Sequence, residues 1–176
     1  HVHHAWLIRG PEGVGKATLA YRFAKFVLAD PLERDRLGGS LDIAGDTTAA
    51  RQVEALSHPS LLLLRRPWNT TTKKAAASIP IDEVRRLRGF LSLAAEEGAW
   101  RVVIVDSADD LAGPAANALL KSLEEPPPRL IFLLISSEPG RLLPTIRSRC
   151  RTITLSPLNG PDLRRAAGDA IGASET

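Results

Sequence analysis

The segment that most restricts this chain is Gly10-Pro-Glu-Gly13-Val-Gly15-Lys16. It fits G-x-x-x-x-G-K, a loop whose glycines let backbone N–H groups turn toward a phosphate while the lysine reaches the outer phosphates. The pattern carries meaning only between a strand and a helix, and the flanks supply both. Ala5 to Ile8 is a short apolar run, and from Lys16 to Leu28 the residues Leu19, Phe23, Phe26 and Val27 recur at helical spacing. The helix N-terminus would then add partial positive charge at the phosphate. The candidate nucleotide-binding residues are Gly10, Glu12, Gly13, Val14, Gly15, Lys16, Ala17 and Thr18.

Further along, Leu61 to Leu64, Val102 to Val105 and Leu130 to Ile135 are continuous apolar runs that read as buried strands, with Arg151 to Leu155 a last strand. Between them lie helical patterns: Thr47 to Leu56, an amphipathic helix from Pro80 ended by Gly98, and Pro114 to Glu125 stopped by Pro126, Pro127 and Pro128. Buried strands alternating with amphipathic helices predict a three-layer α/β fold around a parallel sheet. Such sheets place ligands at the carboxyl ends of their strands. The stretch through Gly38, Gly39, Asp42 and Gly45 is expected to be a loop or insertion, and Pro67 to Ser78, without a period, a mobile loop.

Composition narrows the class. The 176 residues are 44% hydrophobic and 24% charged with a formal charge of +3, which describes a globular chain of mild basicity. The apolar runs fall far short of a membrane helix. One cysteine, Cys150, excludes an internal disulfide or a Cys-rich zinc module and suits a reducing, cytoplasmic setting. His1, His3 and His4 have no carboxylate nearby at ligand spacing, so no metal is expected there.

Two departures weaken the nucleotide chemistry. Ala17 stands where a Ser or Thr hydroxyl would hold Mg²⁺, and Thr18 is one helical position late. Asp106, ending the Val102 to Val105 run, suits a Walker B aspartate, but Ser107 follows where an acid would polarise water. Asp109 and Asp110 are expected in the next loop or helix N-terminus, where carboxylates are favourable without catalytic use.

Three further blocks carry a family resemblance: Asn117-Ala-Leu-Leu-Lys-Ser-Leu-Glu-Glu-Pro-Pro127, Leu133-Leu-Ile-Ser-Ser-Glu-Pro139 and Ser148-Arg149-Cys150. With the glycine loop, they resemble bacterial clamp-loader AAA+ subunits of DNA polymerase III, the delta-prime type in particular, from His4 to about Leu158. The resemblance implies an AAA+ P-loop NTPase-type domain with a central five-stranded parallel sheet over residues 1–158. Residues 159–176 would begin a helical lid, and a C-terminal collar would lie outside this sequence. It implies a subunit that does not hydrolyse ATP, with weak ATP or ADP binding left open, and no zinc. Arg149 would be an arginine finger acting on a neighbour's ATP site, and Ser136 would sit at a sensor position. Implied partners are the tau or gamma and delta subunits, the sliding clamp and primed DNA, with no membrane.

Arg85, Arg86, Arg88, Lys73 and Lys74 could face DNA phosphates or simply be solvated. No aromatic platform accompanies them in the sequence, which argues against independent single-strand binding. Two rival readings are an active ATPase of the tau or gamma type and a P-loop kinase. The first is disfavoured by Asp106-Ser107, and the second leaves Asn117 to Pro127 and Ser148 to Cys150 without a role.

Overall fold

The computed structural model describes residues 2–36, 40–41, 47–92 and 99–172. Five strands form one wholly parallel sheet: β1 (Ala5–Arg9), β2 (Leu61–Arg65), β5 (Arg101–Asp106), β6 (Leu130–Ser136) and β7 (Arg151–Thr154), in the order β2-β5-β6-β1-β7. β5 and β6 are inner strands, so both of their faces are covered and no polar alternation is needed.

The pleat sorts their side chains into two cores. Val103, Val105, Phe132 and Leu134 face one layer with α4 (Ile81–Ser92) and α5 (Gly113–Glu124). Val102, Ile104, Ile131 and Leu133 face the other with α1 (Lys16–Leu28) and α3 (Thr48–Glu54). Phe132 is fully buried at the centre of the first core, where truncation to alanine costs about 3–5 kcal/mol. This is the expected three-layer architecture.

Local chemistry sets the helix limits. Thr47 caps α3, its Oγ1 accepting from the Ala50 N–H at 3.1 Å. Pro114 lies in the first turn of α5, and Pro126 follows its end. The Asp30 carboxylate accepts from the Leu32 N–H and opens a short helix, α2 (Pro31–Arg36), which the sequence pattern did not suggest.

The segment 67–78 corrects the expectation of a mobile loop. It holds an antiparallel hairpin of β3 (Trp68–Asn69) and β4 (Lys74–Ala75), closed at its base by the Ala76 N–H on the Pro67 carbonyl. The Asn69 side chain accepts from the N–H groups of Thr71 and Thr72 and builds the turn. Gly38, Gly39, Asp42, Gly45 and the helix stop at Gly98 lie outside the described residues. A final helix, α7 (Gly160–Gly172), follows β7. Among the described residues no helix is long and apolar enough to cross a membrane.

Candidate functional site

β1 delivers the chain to Gly10 at the carboxyl edge of the sheet. There the Leu155 N–H, just past β7, donates to the Arg9 carbonyl at 2.8 Å. A Cβ on Gly10 would lie 2.4 Å from the Leu155 carbonyl oxygen, and φ is 152°, so both space and backbone demand glycine. Gly13 and Gly15 also have positive φ, at 75° and 93°, and Gly15 is the N-cap of α1. Glu12 is exposed and Val14 half-buried in the same turn.

Lys16 is only 6% exposed. Its Nζ donates to the carbonyls of Gly10 at 2.7 Å and Pro11 at 2.6 Å, so the lysine closes its own loop. The ammonium has three donors, and the two carbonyls leave one of them for a phosphate at this helix terminus. Ala17 packs on the α1-side core, and Thr18 beside it is exposed. The glycines, helix terminus and lysine fit a phosphate; the Ala17 methyl supplies no oxygen for Mg²⁺.

Asp106 ends β5 one strand away from the loop strand's neighbour, with half-buried Ser107 next to it. Burial raises the Tyr21 hydroxyl pKa, the negative charge of Asp106 raises it further, and Arg65 opposes. Tyr21, on α1, thus lies within the electrostatic reach of Asp106 and Arg65.

The two following acids are engaged elsewhere. Asp109 accepts from Ser136 Oγ at 2.6 Å and from the N–H groups of Ser137 at 2.6 Å and Glu138 at 3.0 Å. It ties the 3₁₀ turn Ala108–Asp110 to the end of β6, where Ser136 is fully buried. Asp110 lies 3.3 Å from Arg66 Nε and 4.0 Å from Arg141 Nη2. The parallel pairing of β5 with β6 brings these segments together, a signal absent from either segment alone.

Arg149 sits at the opposite edge. It follows α6 (Pro144–Arg147) and precedes β7; its Nη2 donates to Glu124 Oε1 at 2.6 Å and its Nη1 to the Thr145 carbonyl at 2.9 Å. Glu124, the last residue of α5, was not singled out by sequence reasoning. Cys150 packs against the first core, and burial pushes its thiol up to about 11. Among the described residues no group of three or more His, Cys, Asp or Glu is placed to hold a metal ion.

The family model described as DNA polymerase III, delta subunit, matches residues 1–159. DNA polymerase III subunit delta-prime of Pseudomonas aeruginosa is 40% identical over 147 residues, 84% of this chain and 41% of that protein. Its Escherichia coli counterpart is 35% identical over 155 residues, 88% of this chain and 43% of that protein. Subunit tau of Bacillus subtilis is 32% identical over 168 residues, 96% of this chain and 26% of that protein. This chain thus spans less than half the length of these relatives. A gamma-subunit-related protein of Thermotoga maritima shares the fold, with a TM-score of 0.62 at 23% identity over 90% of this chain and 43% of that one. The sheet order and this likeness show the same fold, a central five-stranded parallel sheet flanked by helices. With residues 1–159 matched and delta-prime relatives at 35–40% identity, the chain belongs to the DNA polymerase III delta-prime subunit family.

Proposed function

We propose that this chain works in the DNA polymerase III clamp loader as a non-hydrolysing subunit that lends Arg149 to a neighbouring subunit's ATP site. The observation that carries the reading is the parallel pairing of β1 with β7. Trp6 lies beside Arg151, so Arg149 precedes the amino end of that pair while Gly10 follows its carboxyl end. The four steps from Trp6 to Gly10 span roughly 13 Å along the strand. Arg149 thus lies at the sheet edge opposite its own nucleotide loop, which supports a role at a phosphate outside this subunit. In such a site a guanidinium stabilises charge on the transferring phosphoryl group, an effect of about 10³–10⁵ in rate where GTPases have been measured.

The inert character of the chain's own loop is supported by Ala17, by Ser107, and by the engagement of Asp109 and Asp110. When nucleotide is bound, Lys16 and the loop amides would hold its phosphates. Residues 1–158 would form the AAA+ domain and 159–176 the opening of a lid. The partners are the tau or gamma and delta subunits, acting on the sliding clamp and primed DNA in the cytoplasm. Ala17→Ser, placed in the full-length protein within a reconstituted loader, tests the loop. Clamp- and DNA-stimulated ATP turnover should hardly change; a large gain would mean a loop one hydroxyl short of activity, as in an ATPase of the tau or gamma type.

A further inference from the structure

The hairpin β3–β4 holds a feature that the nucleotide loop and Arg149 leave unused. Trp68 is 62% exposed, an uncommon position for an indole outside an interface. Around it, residues 65–75 contain Arg65, Arg66, Lys73 and Lys74 and no carboxylate. The nearest acid in the chain after them is Asp82. Lys73 and Lys74 are exposed and make no ion pair among the described residues. The aromatic that the charge pattern alone lacked is Trp68: it pairs with Ala75 while Asn69 pairs with Lys74, so the indole and Lys74 stand at neighbouring register positions on opposite faces of the ribbon, with Lys73 in the turn between the strands.

The hairpin is also built to hold its place. The Asn69 side chain fixes the turn, and the Pro67 carbonyl closes the base. Arg66, one residue before that proline, reaches Asp110 behind β5. An exposed aromatic on a hairpin that also carries two exposed lysines combines backbone neutralisation with a face for base stacking, and both are sequence-tolerant. A protein partner is less well matched: a cationic tip with one indole lacks the packed apolar surround that a protein hot spot requires.

We propose that the β3–β4 hairpin is a contact for single-stranded DNA, with Trp68 stacking on an unpaired base while Lys73 and Lys74 neutralise phosphates of the strand as it passes around the hairpin tip. This stands on the hairpin alone and does not depend on Arg149 or on the state of the nucleotide loop. The test is fluorescence anisotropy of a labelled oligodeoxythymidylate titrated with the full-length protein at several salt concentrations, beside a blunt duplex of equal length.

Trp68→Ala should weaken oligonucleotide binding about tenfold, Trp68→Phe should keep most of it, and duplex binding should barely respond, because a blunt duplex offers no unpaired base. Lys73→Ala with Lys74→Ala should flatten the salt dependence by about 1.4 in the log–log slope. The side chains replaced are exposed, so unchanged thermal unfolding confirms that the fold is intact. Wild-type protein that fails to bind the oligonucleotide, or a Trp68→Ala variant that binds it equally well, overturns the proposal. If Trp68→Ala spares oligonucleotide binding and abolishes assembly with the other subunits, the hairpin is a protein-docking surface instead.

Discussion

Glu124 and Arg149 form an ion pair of 2.6 Å at the amino edge of the sheet, joining the last residue of α5 to the turn before β7. Both side chains are partly exposed, at 48% and 34%, so the pair is worth no more than about 1 kcal/mol of stability. Its effect is geometric: with the Thr145 carbonyl it holds the two Nη groups and sets the direction of the guanidinium. Glu124→Gln should lower partner-subunit ATP turnover several-fold while leaving thermal unfolding nearly unchanged. Steady-state turnover of the reconstituted loader, beside calorimetry of the variant, checks both.

Gly10 and Gly13 should respond differently to the same substitution. Gly10→Ala drives a Cβ into the Leu155 carbonyl oxygen at an unfavourable φ and should cost about 3 kcal/mol. Gly13→Ala meets no atom within 4 Å and carries only left-handed strain, about 1–2 kcal/mol. Urea denaturation of the two variants measures the difference.

Asp109 should behave as a structural acid. Asp109→Ala leaves the buried Ser136 hydroxyl and the Ser137 N–H without their acceptor, a loss of about 3 kcal/mol. Asp109→Asn can turn its oxygen to the two amides and donate its NH₂ to Ser136 Oγ, so its cost should be about 1 kcal/mol. Equal losses in the two variants would mean that charge, not hydrogen bonding, is what holds the turn.

Cys150 should resist alkylation. Burial raises the thiol from 9.0 to about 11, so the folded state favours the neutral form. That contribution to stability is intact below the unfolded value of 9.0 and is lost as pH rises through about 11. At pH 8, iodoacetamide should label the native protein at least about tenfold more slowly than the unfolded chain.

The layers were legible in the sequence because β5 and β6 are covered on both faces and therefore read as unbroken apolar runs. The glycine loop was legible because its residues are contiguous, with Gly10, Gly13, Gly15 and Lys16 at fixed spacing between a strand and a helix. The hairpin was not: strands of two residues are too short for alternation to register, and its cations and threonines read as solvated loop. The partnerships of Asp109 with Ser136 and of Glu124 with Arg149 were hidden because they depend on strand order, which local pattern does not encode. Arg149 itself was found through the Ser-Arg-Cys resemblance; its position opposite the loop required the β1–β7 register.

The most direct test is clamp- and DNA-stimulated ATP turnover of a reconstituted loader whose full-length subunit carries Arg149→Ala or, separately, Lys16→Ala. The expected result is a large loss with Arg149→Ala and near-normal turnover with Lys16→Ala. A large loss with Lys16→Ala, with turnover preserved in Arg149→Ala, would contradict the reading and make this chain an ATPase in its own right.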